Sequence, residues 1–111
     1  MSEQPPAPEP ASPPSQAQAS APAPERVEVL REAASLISGD REQDYGPPAK
    51  NFATIAGLWS QILGIEVTPQ QVALCMIQLK MARMVNGGGT KRDSLVDIAG
   101  YAGLAWELRD R

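Results

Sequence analysis

The chain has no histidine and a single cysteine, Cys75, among its 111 residues, which excludes a Cys/His zinc site. A metal bound here has to be a hard cation held by carboxylates. No apolar run reaches the roughly 18 residues of a membrane span. Basic excess is missing as well. Residues 25–111 carry ten Lys and Arg against eleven Asp and Glu, so there is no electrostatic footprint for direct nucleic-acid binding. No strand-length alternating run with hairpin chemistry occurs anywhere, which leaves an all-α reading.

Residues 1–24 lack Val, Ile, Leu, Phe, Tyr and Trp and hold eight of the eleven prolines. Such a segment cannot bury enough apolar surface to offset its ordering entropy. It reads as a disordered Pro/Ala-rich tail, partly polyproline II. The spacings Pro5–Pro8 and Pro10–Pro13 fit a PxxP ligand loosely, but no basic residue flanks them. The tail has no basic start, apolar core or Arg content, so it is neither a signal nor a transit peptide, and a cytoplasmic protein of the bacterial host is expected. Residues 25–111 form the domain. At 87 residues it buries only about 60–65% of its unfolded surface, and a homo-oligomer is expected to help it.

Four helices are predicted. The first runs from Glu25 to about Ser38, stopped by Gly39, with Glu25 and Glu28 at its positive end. A polar turn-rich stretch from Gly39 to Pro48 follows. The second covers Ala49–Leu63, where Phe52, Ile55, Ala56 and Trp59 repeat at helical spacing, and Gly64 ends it. Thr68-Pro69-Gln70-Gln71 reads as N-cap, N1 proline and N3 glutamine of the third, which continues to about Val85. Being apolar nearly all round, it is expected to be the buried central helix, with Cys75 an inert buried thiol. The fourth runs from Asp93, or Ser94, as N-cap to about Arg109. Ala99, Gly100, Ala102, Gly103 and Ala105 make its middle thin enough for close approach of a neighbour. The expected architecture is a compact bundle of about four helices.

Charges inside apolar helices are costly to bury unless paired. Lys80 and Arg83 project from one side of the third helix, and Asp93, Asp97 and Tyr101 line up at i, i+4, i+8 on the fourth. A short Gly-rich loop makes these helices antiparallel neighbours, so the basic pair can meet the acidic pair. Glu28 and Glu32 add a carboxylate pair on the first helix. Two readings stay open. One is a structural salt-bridge network. The other is a site in which Glu32, Asp93 and Asp97 hold Mg²⁺ while Lys80, Arg83 or Arg41 meet phosphate. Trp59, Phe52 and Trp106 read as core or interface aromatics. Tyr45 sits in a turn that either docks on the bundle or contacts a ligand.

The motifs Gly39-Asp40-Arg41, Asp44-Tyr45-Gly46-Pro47, Asn51-Phe52, Leu58-Trp59-Ser60, Leu79-Lys80, Ala82-Arg83 and Arg92-Asp93-Ser94 through Val96-Asp97-Ile98-Ala99-Gly100-Tyr101 resemble a family of small proteins of tailed phages and prophages, catalogued as a domain of unknown function. The likeness covers about residues 27–108. More distantly, Lys80, Arg83, Asp93, Asp97 and Tyr101 resemble the nucleotide-modification-associated phage domains. These are similar to the all-α pyrophosphohydrolases of the MazG and dUTPase type. That resemblance implies Mg²⁺ on acidic residues of two helices and cleavage of a nucleoside triphosphate between its α and β phosphates by an activated water. Glu28, Glu32 and Asp97 would then be catalytic, and Arg41, Tyr45, Lys80, Arg83 and Tyr101 would bind substrate. Here the sequence departs from the pattern. Those enzymes carry ExxE-type and ExxD-type motifs, whereas Glu28/Glu32 and Asp93/Asp97 are both spaced i, i+4. A nucleotide-handling phage protein, a non-catalytic binder of a nucleotide or signalling molecule, and a small helical interaction protein are the three readings.

Overall fold

Local capping chemistry sets the start of one helix and the ends of two. The structure, a computed structural model, describes residues 23–38, 47–87 and 91–110. The expected tail lies outside these up to residue 22, as do Gly39, Arg41, Tyr45 and the rest of the Gly-rich loop after Gly87. Four helices are present: α1 Glu25–Leu36, α2 Pro48–Leu63, α3 Pro69–Asn86 and α4 Lys91–Glu107. No strand occurs among the described residues.

The start of α3 is the best-defined terminus. Thr68 Oγ1 accepts from the Gln71 N–H at 3.1 Å, while the Gln71 side chain accepts from the Thr68 N–H at 3.0 Å. This reciprocal capping box, followed by Pro69 at N1, satisfies donors that the first helical turn leaves orphaned. Thr68→Ala is expected to cost about 1 kcal/mol in urea unfolding. Gly64 and Gly87 close α2 and α3 at φ values of 74° and 78°, a region that only glycine enters cheaply. Between them Ser60 folds the 64–67 link back on α2. Its hydroxyl donates to the Ala56 carbonyl at 2.7 Å and accepts from the Val67 N–H at 2.8 Å.

Helix α4 ends at Glu107, two residues short of expectation, and two further bounds differ. Helix α1 stops at Leu36 with Ile37 as its cap, before Gly39 is reached. Helix α4 begins at Lys91, so Asp93 lies inside the first turn and is not the N-cap. Its carboxylate still meets the positive end of the helix dipole there.

The packing order also corrects the sequence reading. Helix α4, not α3, is the most buried. It packs against α3 on one side and α1 on another, and α2 packs on α3. Ser94, Val96, Gly100, Leu104 and Ala105 of α4 are buried, against Val72 and Ala73 of α3. The cause is size. A Cβ added at Gly100 would stand 3.2 Å from Ile37 Cγ2, and one at Gly103 would stand 3.4 Å from Ile37 Cδ1. The thin middle of α4 therefore admits α1 to close range, as the small-residue run suggested. Gly100→Leu would have to push Ile37 and α1 away, and a loss of about 1–3 kcal/mol in urea unfolding is expected. Antiparallel α3 and α4 are tied near their far ends by Gln70 Nε2, which donates to the Ala105 carbonyl at 3.0 Å.

Candidate functional site

Lys80 stands on the side of α3 that faces α4, in line with Val72, Ala73 and Met76. Its ammonium reaches Asp97 Oδ2 at 2.9 Å, with the two side chains 21% and 35% exposed. The pair is half-sheltered, which places it between a surface ion pair and a buried one. Tyr101, one turn beyond Asp97, is half-buried, and its ring lies 6.4 Å from that of Phe52 at a 46° tilt. The N-terminal half of α2 thus reaches α4 beside the Lys80–Asp97 pair. Arg83 follows Lys80 by one turn and is exposed, and Asp93 precedes Asp97 by one turn and is exposed.

The acids of α1 are engaged elsewhere. Glu32 accepts from Arg92 Nη1 across the α1–α4 contact. Glu28 pairs with Arg31 on its own helix at 3.3 Å, on the solvent side. Hydrogen bonding to Glu32, then its negative charge, hold the Arg92 guanidinium above its usual range. An arginine stays protonated in proteins in any case, so this bridge has no acid–base switch on its basic side. Among the described residues no three His, Cys, Asp or Glu side chains come together as a group able to hold a metal ion. The expected Mg²⁺ set of Glu32, Asp93 and Asp97 is therefore not assembled by them, and neither is the catalytic set of Glu28, Glu32 and Asp97. The physical reason is competition: each pairing brings a guanidinium or ammonium to a carboxylate that a cation would otherwise need. Arg41 and Tyr45 lie outside the described residues.

The profile of a family described as "Domain of unknown function (DUF6378)" matches residues 28–109. The chain belongs to that family. Two curated phage proteins are similar to it. The Gene 55 protein of Mycobacterium phage L5 is 46% identical over 84 residues, covering 75% of this chain and 53% of that protein. The Gene 55 protein of Mycobacterium phage D29 is 49% identical over 75 residues, covering 68% and 49%. The chain spans about half the length of these curated relatives. No solved structure matches the chain. Within this DUF6378 domain the expected phage family is thus in place. No helix of the described residues is long and apolar enough to cross a membrane.

Three DUF6378 side chains in this chain have roles the sequence reading did not give them. Arg92 anchors α1 through Glu32. A cation so near the start of a helix opposes the dipole and calls for an acid, but which acid depends on packing. Phe52 meets Tyr101, and Gln70 binds the α4 backbone; neither contact has a local signature. Cys75 is exposed, correcting the expected buried thiol.

Proposed function

We propose that this DUF6378 domain is a phage nucleotide-handling protein that binds a nucleotide or similar phosphorylated small molecule without hydrolysing it. The observation that carries this reading is the Lys80–Asp97 pair, 2.9 Å apart and half-sheltered, with the Phe52 and Tyr101 rings beside it. Lysine is a compact charge with three donors, so one bond to Asp97 leaves two for phosphate oxygens. Arg83 one turn away adds a second cation, and an aromatic pair alongside offers an apolar wall for a base. Binding is favoured over hydrolysis because Glu32 and Asp97 each hold a cationic side chain, and no three carboxylates of the described residues come together as a group able to hold a metal ion. In this mode phosphate charge is met by Lys80 and Arg83.

The test is calorimetric titration of the 111-residue chain with nucleoside mono-, di- and triphosphates and inorganic pyrophosphate, in Mg²⁺ and in EDTA, with products followed by chromatography. Binding that survives EDTA without turnover is the expected result. Mg²⁺-dependent release of pyrophosphate would overturn it and place the chain with the MazG-type enzymes. Absence of any binding would leave the charges purely structural.

A further inference from the structure

Few cations converge on the Lys80–Asp97 pair, and that scarcity limits how much phosphate can be met there. The side of α3 toward α4 runs through Ala73, Met76, Lys80 and Arg83, which supplies two positive charges. The facing line on α4 is Asp93, Asp97 and Tyr101, which supplies two negative ones. Gln70 meets Ala105 and Lys80 meets Asp97, so the two helices run antiparallel. The step from Lys80 to Arg83 therefore runs alongside the step from Asp97 to Asp93. Each cation has an acid opposite it, and the four formal charges cancel. Other basic side chains of these helices leave on other faces. Lys91 is two residues from Asp93 on α4, and Lys50 two residues from Phe52 on α2, each about 200° round its helix. Arg92 is held by Glu32. Among the described residues no third cation faces the pair.

Resting on the nucleotide-binding reading above, we infer that the ligand is a nucleoside 5′-monophosphate and that di- and triphosphates are disfavoured. One phosphate carries about −1.5 to −2 charge near neutral pH, which Lys80 and Arg83 match between them. Three residues apart, these two lie about 4.5 Å from each other along the axis of α3, close enough to share the oxygens of a single group. Each further phosphate brings negative charge beside Asp97 or Asp93 with no cation left to receive it. At ~5 Å and an effective dielectric constant of about 40, one such repulsion lowers affinity roughly tenfold. The aromatic pair sets the other end of the ligand. Tyr101 follows Asp97 by one turn, about 5–6 Å along the helix face, the span of one pentose between phosphate and base. The Phe52 ring, 6.4 Å from that of Tyr101, adds to the wall on which the base rests. Inorganic phosphate gains nothing from that wall and is the weaker ligand.

The experiment is calorimetric titration of the 111-residue chain in EDTA at one ionic strength. The ligands are adenosine, guanosine, cytidine and thymidine 5′-monophosphates, the matching triphosphates and inorganic phosphate. The best monophosphate is expected to bind at least tenfold tighter than its triphosphate and than inorganic phosphate. In an Asp93→Asn/Asp97→Asn chain with unchanged far-UV circular dichroism, the triphosphate is expected to gain at least tenfold more affinity than the monophosphate. Asp93→Asn alone, at an exposed side chain, is expected to give part of the same change. A triphosphate that binds the unaltered chain as tightly as the monophosphate overturns the inference and leaves the nucleotide-binding reading standing. So does a preference for monophosphate that persists when both carboxylates are gone. Binding of none of these ligands removes that reading, and the inference with it.

Discussion

Lys80→Ala is expected to weaken binding of a nucleotide or pyrophosphate by about 10- to 100-fold, whereas Asp97→Asn is expected to strengthen it severalfold. The first figure follows from removing a charge-assisted contact worth about 1.5–3 kcal/mol. The second follows from charge. Asp97 lies 2.9 Å from the Lys80 ammonium, so any phosphate that reaches Lys80 also approaches a carboxylate. At ~5 Å and an effective dielectric constant of about 40, removing that repulsion contributes on the order of 1–2 kcal/mol. Asparagine keeps the shape and an oxygen acceptor for the ammonium. Opposite signs at two touching residues are the signature of an anion site whose cation is held in readiness by an acid. A metal site predicts a loss at both positions, because Asp97 would then be a ligand. Neither substitution is expected to cost more than about 1–2 kcal/mol of stability, since a half-sheltered pair is still partly screened by water. Calorimetric Kd values together with urea midpoints separate the binding effect from the folding effect.

How far the fold and site were legible from residues depends on the range of the interaction that decides each feature. The start of α3 was readable because Thr68, Pro69 and Gln71 cap within four residues of one another. The ends of α2 and α3 were readable because Gly64 and Gly87 supply the left-handed residue locally. The meeting of Lys80 with Asp97 was also within reach, since a short connection between antiparallel helices leaves few other pairings. The rank of α3 and α4 in the core was not. Hydrophobicity marks α3, but burial went to α4, because Gly100 and Gly103 let Ile37 approach and so bring α1 onto that helix. The partner of Glu32 was equally out of reach. Carboxylate spacing on α1 and α4 suggested a shared cation, yet the α1–α4 contact brings Arg92 to Glu32 instead.

Leu108→Ala is expected to lower stability by about 2–5 kcal/mol, the largest effect of any single substitution in the domain. Leu108 lies just past the last residue of α4 and is fully buried. Its N–H donates to the Leu104 carbonyl at 2.9 Å, which continues the helical line of Gly100 and Leu104 by one more turn. With Val72 and Val96 it is one of the three largest fully buried side chains among the described residues, so a core this small has little to redistribute when one is truncated. A domain of this size is stable by only ~4–13 kcal/mol, and each kcal/mol moves its melting temperature by about 4–8 °C. A drop of more than 10 °C in a thermal melt is therefore expected. Trp106 provides the control two residues away. It is the larger side chain, but it is 66% exposed and stacks on the Arg109 guanidinium at 3.7 Å. Trp106→Ala gives up one exposed cation–π contact of about 0.5–1 kcal/mol and little burial. If Trp106→Ala proved the more damaging of the two, the end of α4 would be packed the other way round, and the register of α4 against α1 and α3 would have to be redrawn.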